Sequence, residues 1–398
     1  MSHDSREQEI YLDHNATTPL DERVLAAMEP FLRIAFGNAA SVQHATGRAA
    51  ADAVEQARAE VADLLGASPR EVVFTSGATE ANNLAIKGLA LAATDCRHLV
   101  SCVTEHPAVL EPLAWLGRRG FEVDLVGVDA DGMVDLAMLE RVLRPDTLLV
   151  SVMAANNEIG TLAPLAEIGQ LAHQVGALFH TDATQLVGQL PLGLDAAQVD
   201  LLSLSAHKFY GPKGVGALYV RRRLPVPIEP LIHGGGHERG LRSGTSNVAG
   251  CVGLGAAARL VAEEGHAAAG RLSWLRDKLH NRLAAALDGV RLNGHPSHRL
   301  PSTVNLCFAG ADADAVMANM PGVAVSSGSA CSSATPAPSH VLRAMGRSAE
   351  EATASIRFGV GRRTTLADVD RAVPQVVAAV SRVRAVFDAG ADASRRPA

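Results

Sequence analysis

Short apolar runs rich in β-branched residues recur through the first 220 residues, each set off from the next by a stretch of helical period or a short loop. "EVVFTS" (71–76), "HLVSCV" (98–103), "FEVDLVGV" (121–128), "TLLVSVMA" (147–154), "GALFHTD" (176–182), "VDLLSLSAH" (199–207) and "VGALYVR" (215–221) read as strands. They are largely apolar at successive positions, which is the pattern of strands covered on both faces. Between them, "ATEANNLAIKGLALAA" (78–93), "PAVLEPLAWLGRRG" (107–120) and "LAEIGQLAHQVG" (165–176) carry helical spacing. Pro107 opens the second of these and Gly120 closes it. Strand and helix in alternation predict an α/β domain built on one broad sheet of about seven strands.

After Gly250 the texture changes. "LGAAARLVAEEGHAAAGRLSWLRDKLHNRLAAAL" (254–287) is long, Ala/Leu/Arg-rich and amphipathic, and a smaller α+β portion follows it. A domain boundary is therefore expected near residue 255. Within the smaller portion, "SSGSACSSATPAP" (326–338) places Cys331 among Ser, Gly, Ala and Pro, the residues of a loop. Packing explains a thiol in such a loop poorly, and reactivity explains it better.

Composition narrows the function classes. The chain has 398 residues, 47% of them hydrophobic, and a formal net charge of −6. Nothing in that balance provides a basic footprint for nucleic acid or an anionic membrane, so neither is expected as a partner. The polar N-terminus lacks a signal-peptide core, and no run reaches the ~18 apolar residues of a membrane span. A cytoplasmic protein is expected. Cys96, Cys102, Cys251, Cys307 and Cys331 are widely spaced with no Cys-x-x-Cys pair, so free thiols and no metal site are expected.

Candidate chemistry gathers where strands end. The chain has only four lysines, Lys87, Lys208, Lys213 and Lys278. Lys87 and Lys278 fall in helical stretches and are expected at the surface. Lys208 follows a buried strand in "SLSAHKFYGPKG", the kind of position where open α/β sheets hold ligands. An amine there can lose its proton and form a Schiff base, as a guanidinium cannot. A carbonyl cofactor such as pyridoxal phosphate needs further parts. Asp182 at the end of "FHTD" can pair with a ring nitrogen, and Gln185 can reach a phenolic oxygen. The turn "FTSGATEANN" offers the first helical amides, at Ala78 and Thr79, to a phosphate. His106, after "HLVSCV", can stack on a ring and carry protons. Taken singly each has a plainer reading: a turn lysine, an Asp capping a helix, an ordinary glycine turn. Together they form a set.

The segments "YLDHNATTPLDERVLAAM", "FTSGATEANNLAIKG", "TEHPAVLEP", "SVMAANNEIGTLAPL", "FHTDATQLVGQLPL", "SLSAHKFYGPKGVGALYVR", "HGGGHERGLRSGT", "SSGSACSS" and "SIRFGVGRRTT" resemble, in order, the motifs of the cysteine desulfurases of the nitrogen-fixation and iron-sulfur-cluster type, the group with the longer catalytic loop. The resemblance covers roughly residues 10 to 370. It implies a fold-type-I pyridoxal phosphate enzyme, homodimeric, with a large domain on a mostly parallel seven-stranded sheet and a smaller α+β domain. The division it suggests is an N-terminal segment 1–20 packing with the small domain, a large cofactor domain 21–255, and a small domain 256–398 whose catalytic loop spans about 323–340.

Carried over by motif, Lys208 is the Schiff-base lysine, His106 the ring-stacking acid and base, Asp182 the ring-nitrogen partner and Gln185 the phenolate partner. Ala78, Thr79, Ser205 and His207 hold the phosphate, with Thr245 reaching in from the other subunit. Asn157 contacts cofactor and substrate, and Arg357 takes the substrate carboxylate, a task suited to a guanidinium. The implied reaction converts L-cysteine to L-alanine and leaves a persulfide on Cys331, which passes sulfur to an acceptor or iron-sulfur scaffold protein. Cys331 is also a candidate transient cluster ligand. Ser332 follows the cysteine where Thr is frequent in the family, which bears on acceptor choice. A selenocysteine lyase or another enzyme of the same fold is the alternative.

Overall fold

The computed structural model describes residues 9–327 and 337–394; Cys331, with residues 328–336 around it, lies outside the described residues. Among the described residues thirteen strands follow in chain order: β1 (Ile10–Tyr11), β2 (Val72–Thr75), β3 (His98–Cys102), β4 (Glu122–Val126), β5 (Thr147–Ser151), β6 (Leu178–Asp182), β7 (Leu201–Ser205), β8 (Gly216–Val220), β9 (Val290–Asn293), β10 (Thr303–Phe308), β11 (Val323–Ala324), β12 (Ser326–Ser327) and β13 (Ser355–Gly359). The first seven helices are α1 (Glu22–Arg33), α2 (Ala45–Leu65), α3 (Ala78–Ala92), α4 (Pro107–Gly117), α5 (Leu136–Val142), α6 (Leu165–Gln174) and α7 (Val248–Ala286).

Seven strands form the large sheet in the order β2-β8-β7-β6-β5-β3-β4. The pairs from β7 through β4 are parallel, and β8 runs antiparallel to both its neighbours. Period 2 decides which side chain goes where. Phe74, Val100, Val150, Phe179 and Leu202 point into one core with α1, α2, α6 and the first part of α7. Their neighbours Val73, Leu99, Leu149, Leu178 and Leu201 point into the opposite core with α3 and α4. Both faces are thereby covered, as the near-continuous apolar runs require. The strands are shorter than the apolar runs because residues at one or both ends of a run lie outside the ladder, as with 199–200 and 206–207 around β7 and 176–177 before β6.

A second body of structure is built on the sheet β12-β13-β10-β9. Its core joins Leu272, Leu275, Leu279 and Leu283 of α7 to Leu306, Ile356 and Phe358 of the sheet and to Val369, Val376 and Val380 of the C-terminal helix Leu366–Ser394. Ile10 and Leu12 belong to this same core, and β1 runs parallel to β11. The change of texture at residue 255 falls inside the continuous helix α7: its early residues Leu254 to Val261 pack in the first core and those from Leu272 on in the second. What changes there is the set of neighbours, while the Ala-rich composition stays helical throughout. Helix α4 stops at Gly117, and Gly120, at φ 84°, closes the turn after it. Among the described residues no helix is long and apolar enough to cross a membrane.

Candidate active site

The carboxyl ends of β2, β3, β5, β6 and β7 open on one cavity of about 420 Å³. Of the candidate site residues that the structure describes, all but Thr245 line it, and Cys331 lies outside the described residues. Sheet topology explains the convergence, since parallel strands deliver their following loops to one edge.

Lys208 ends the short turn Ala206–Lys208 that leaves β7. Its Nζ donates to the carbonyls of Asn15 at 2.5 Å and Ala16 at 2.9 Å, so the N-terminal segment aims the amine into the cavity. Asp182 closes β6 and is 6% exposed. Its Oδ2 accepts from Asn82 Nδ2 at 2.7 Å and its Oδ1 from the Thr184 amide at 3.0 Å. Gln185 is held from both ends by Asn15, donating to its carbonyl at 3.1 Å and accepting from its side chain at 3.2 Å.

His106 is the N-cap of α4, and its Nδ1 accepts from the Ala108 amide at 3.0 Å. The neutral ring therefore carries its proton on Nε2. Burial pushes this imidazole below the usual histidine range, Asp182 opposes the shift, and Lys208 and His340 add to it. His106 is thus a neutral proton carrier near pH 7. Behind it Glu105, fully buried, accepts from the Met153 amide at 2.6 Å, and burial holds its carboxyl well above the usual range.

The phosphate end is a matter of backbone. Gly77 takes φ 151° and no side chain among the described residues caps α3, so the first amides of that helix stay open to a ligand. Gly216 of β8 lies so close that a Cβ there would fall 2.7 Å from Gly77 Cα and 2.4 Å from the Leu204 carbonyl oxygen. His207 joins this end, its Nδ1 3.1 Å from Thr17 Oγ1. Burial first, then Lys208 and Lys213, pushes its pKa down to about 4, leaving a neutral partner for an anion.

At the opposite end, Arg357 of β13 is buried. It donates to Asp13 Oδ1 at 2.7 Å and to the Asn157 carbonyl at 3.0 Å, while its Nε has no hydrogen-bond partner among the described residues. Asp13 Oδ2 in turn accepts from Ser326 Oγ at 2.7 Å, which ties Arg357 to the strand that leads into residues 328–336. Thr245 lies away from this cavity and is exposed.

Asn15, Asn82 and Asp13 were not read from the sequence. Their partners lie 100 to 344 residues away along the chain, and only the "DHN" and "ANN" segments hinted at them. Of the four described thiols, Cys102, Cys251 and Cys307 are buried, and burial pushes Cys102 up to about 11 and Cys251 up to about 12 and raises Cys307, while the half-buried Cys96 does not line the cavity.

The residues present suit pyridoxal phosphate. Buried polar atoms without partners among the described residues, Asn15 Oδ1, Asn82 Oδ1 and Arg357 Nε, belong to side chains that line the cavity, which also offers an amine, a carboxylate and an open helix N-terminus.

Residues 10–372 match the model of the aminotransferase class-V family, and the chain belongs to that family. Within it the chain falls among the cysteine desulfurases. It is 54% identical over 376 residues to cysteine desulfurase IscS of Anaeromyxobacter sp. (strain Fw109-5), covering 94% of this chain and 93% of that one. A solved NifS-like protein superimposes with a TM-score of 0.87 at 39% identity, covering 94% of this chain and all of the other. SspA, solved in complex with cysteine, gives a TM-score of 0.78 at 39% identity over 88% of this chain and 98% of its own. The family's enzymes depend on pyridoxal phosphate.

Proposed function

We propose that this chain, a cysteine desulfurase, binds pyridoxal phosphate in the cavity at the sheet edge and uses Cys331 to take sulfur from L-cysteine. The observation that carries the reading is the convergence of Lys208, His106, Asp182, Gln185 and Arg357 on one cavity of about 420 Å³. When bound, the cofactor supplies an electron sink for charge developed at the substrate Cα. Lys208 Nζ, Asp182, Gln185 and the phosphate cradle of Ala78, Thr79, Ser205 and His207 would hold it, with Thr245 of a second protomer completing the cradle.

The protein's own groups divide the remaining work. Arg357, fixed by Asp13, receives the substrate carboxylate through its buried Nε–H. Asn157 lines the cavity and accepts from Arg357 at its carbonyl. Lys208 Nζ takes the Cα proton, and His106 Nε2 exchanges a proton with the substrate thiol or the Cys331 thiol. Cys331 Sγ, as thiolate, bonds to the substrate sulfur while the Cβ–S bond breaks and Cβ gains a proton. The balance is L-cysteine plus a Cys331 thiol giving L-alanine plus a Cys331 persulfide, with no external oxidant.

A homodimer, a cytoplasmic setting and delivery of the persulfide sulfur to an acceptor or iron-sulfur scaffold protein belong to the same proposal. Support for the homodimer comes from an exposed apolar series at the end of α1 and beyond, Leu32, Ile34, Phe36 and Val42, with Ile34 80% exposed. The division at residues 20 and 255 also has a functional sense: most of the cavity is made by 21–255, while Asn15 and Arg357 enter from the two flanking parts. The test is Cys331→Ala. It should bind cofactor with the wild-type visible spectrum and form neither persulfide nor alanine; a Cys331→Ala enzyme that still releases alanine from cysteine would falsify the assignment.

A further inference from the structure

Between β8 and α7 the chain forms a strap, residues 232–247, with one short 3₁₀ turn at Glu238–Gly240. Two successive non-glycine residues there, Glu238 at φ 48° and Arg239 at φ 57°, occupy the left-handed region. Such a pair persists only where the surroundings dictate it, and here they do. Glu238 accepts from both terminal nitrogens of Arg58, at 2.7 and 2.8 Å, and from the Phe74 amide at 2.9 Å. Arg58 and Arg239 both donate to the Val72 carbonyl, at 2.8 and 2.7 Å. Strand β2 is the edge of the large sheet, and these side chains occupy the backbone groups a further strand would have used. The strap is therefore pinned to the sheet at its middle.

A second link lies four residues on from that clamp. Arg242 Nε donates to Glu80 Oε1 at 2.9 Å, and Glu80 Oε2 accepts from the Ser76 amide at 2.8 Å. Ser76 precedes Gly77 in the phosphate turn, and Thr245 lies three residues beyond Arg242. One carboxylate thus joins the cradle of a protomer to the segment that carries Thr245.

We propose that Arg242, through Glu80, sets the strap and the phosphate turn together, so that the cradle of one protomer and the Thr245 it lends to its partner are coupled. This rests on the reading of Thr245 as a donor across the dimer. Arg242 is a positioning residue: it does not line the cavity and acts through Glu80 and the strap. Loosening it in one protomer weakens cofactor binding in both.

Heterodimers read this out without catalysis. One protomer carries Lys208→Ala with Arg242→Ala and the other is wild type, so visible absorption from lysine-linked cofactor reports only the wild-type cavity. Its own cradle is intact, but its Thr245 comes from the altered strap. Titration with pyridoxal phosphate should give a dissociation constant roughly three- to tenfold weaker than the matched dimer lacking Arg242→Ala, the scale of one weakened ordinary hydrogen bond, since Arg242 acts on Thr245 only through the strap. A constant that Arg242→Ala leaves unchanged but Thr245→Ala in the same protomer weakens would overturn the coupling alone. A constant unchanged by both would overturn the reading of Thr245 and the coupling with it. If Arg242→Ala reduces the yield of folded dimer, Glu80→Gln in the same position of the scheme should give a smaller loss of the same sign, and no loss counts against the coupling.

Discussion

Replacing Arg357 offers the sharpest test of how substrate is read. Its guanidinium is buried, its two terminal nitrogens each give one hydrogen, to Asp13 and to the Asn157 carbonyl, and its Nε–H has no partner among the described residues. A carboxylate seated on that group gains a charge-assisted hydrogen bond worth about 1.5–3 kcal/mol. Losing it should lower kcat/KM for L-cysteine by about 10- to 150-fold. Arg357→Ala alone also strands the Asp13 carboxylate, and breaking a buried pair in this way costs about 3–5 kcal/mol of stability. The cleaner variant is Arg357→Gln with Asp13→Asn, which removes both charges and nearly keeps the volume. The assay is alanine formation across a range of cysteine concentrations, with thermal melts to confirm a folded protein and cysteine methyl ester as the matched substrate without the negative charge. The loss should appear for cysteine and be small for the ester. A folded variant with kcat/KM for cysteine within twofold of wild type, or equal losses for both substrates, refutes the role.

Gly216→Ala should weaken pyridoxal phosphate binding at least tenfold, because its Cβ collides with the backbone of Gly77 and Leu204; unchanged binding by absorbance titration would show that the turn adapts. Burial pushes His180 down to about 4, so between pH 6.5 and 4 the unfolded chain binds a proton the folded chain refuses. Stability should fall as pH falls through that window, and melts taken from pH 7 to 4.5 should slope less for His180→Gln; identical slopes count against a neutral His180. Glu238→Ala takes the buried carboxylate from Arg58 and leaves it only the exposed Glu55 on Nε; it should destabilise by about 3–5 kcal/mol in denaturant titrations, an expectation that a loss below 1 kcal/mol defeats.

The large sheet was legible because a strand covered on both faces has to be apolar at nearly every position, which holds for six of its strands; β4, expected to be buried as well, is an edge strand and is buried only at Val126, with Leu125 exposed, because no strand lies beyond it. Lys208, Asp182 and His106 were legible for a related reason: each follows one of those runs, and strand ends are where a parallel sheet exposes chemistry. Asp13, Asn15 and Asn82 escaped because local pattern carries no trace of a partner brought near only by the fold; Asp13 meets Arg357 across 344 residues. Lys87, expected at the surface, is half-buried with its Nζ 4.4 Å from the centre of the Trp115 ring. Helical period places a lysine on a face but says little about an aromatic ring from the next helix, and a lysine stem covers apolar surface readily.

Helix α7 has a consequence for how the molecule comes apart. One rod contributes Leu254 and Leu260 to one core and Leu275 and Leu283 to the other, with no linker between. Neither core can melt without fraying a helix that the other needs, so heat or denaturant should dissolve both in one cooperative transition. Severing the chain at residue 255 would strip each fragment of part of its own interior, and the two halves would be expected to recover structure only when mixed.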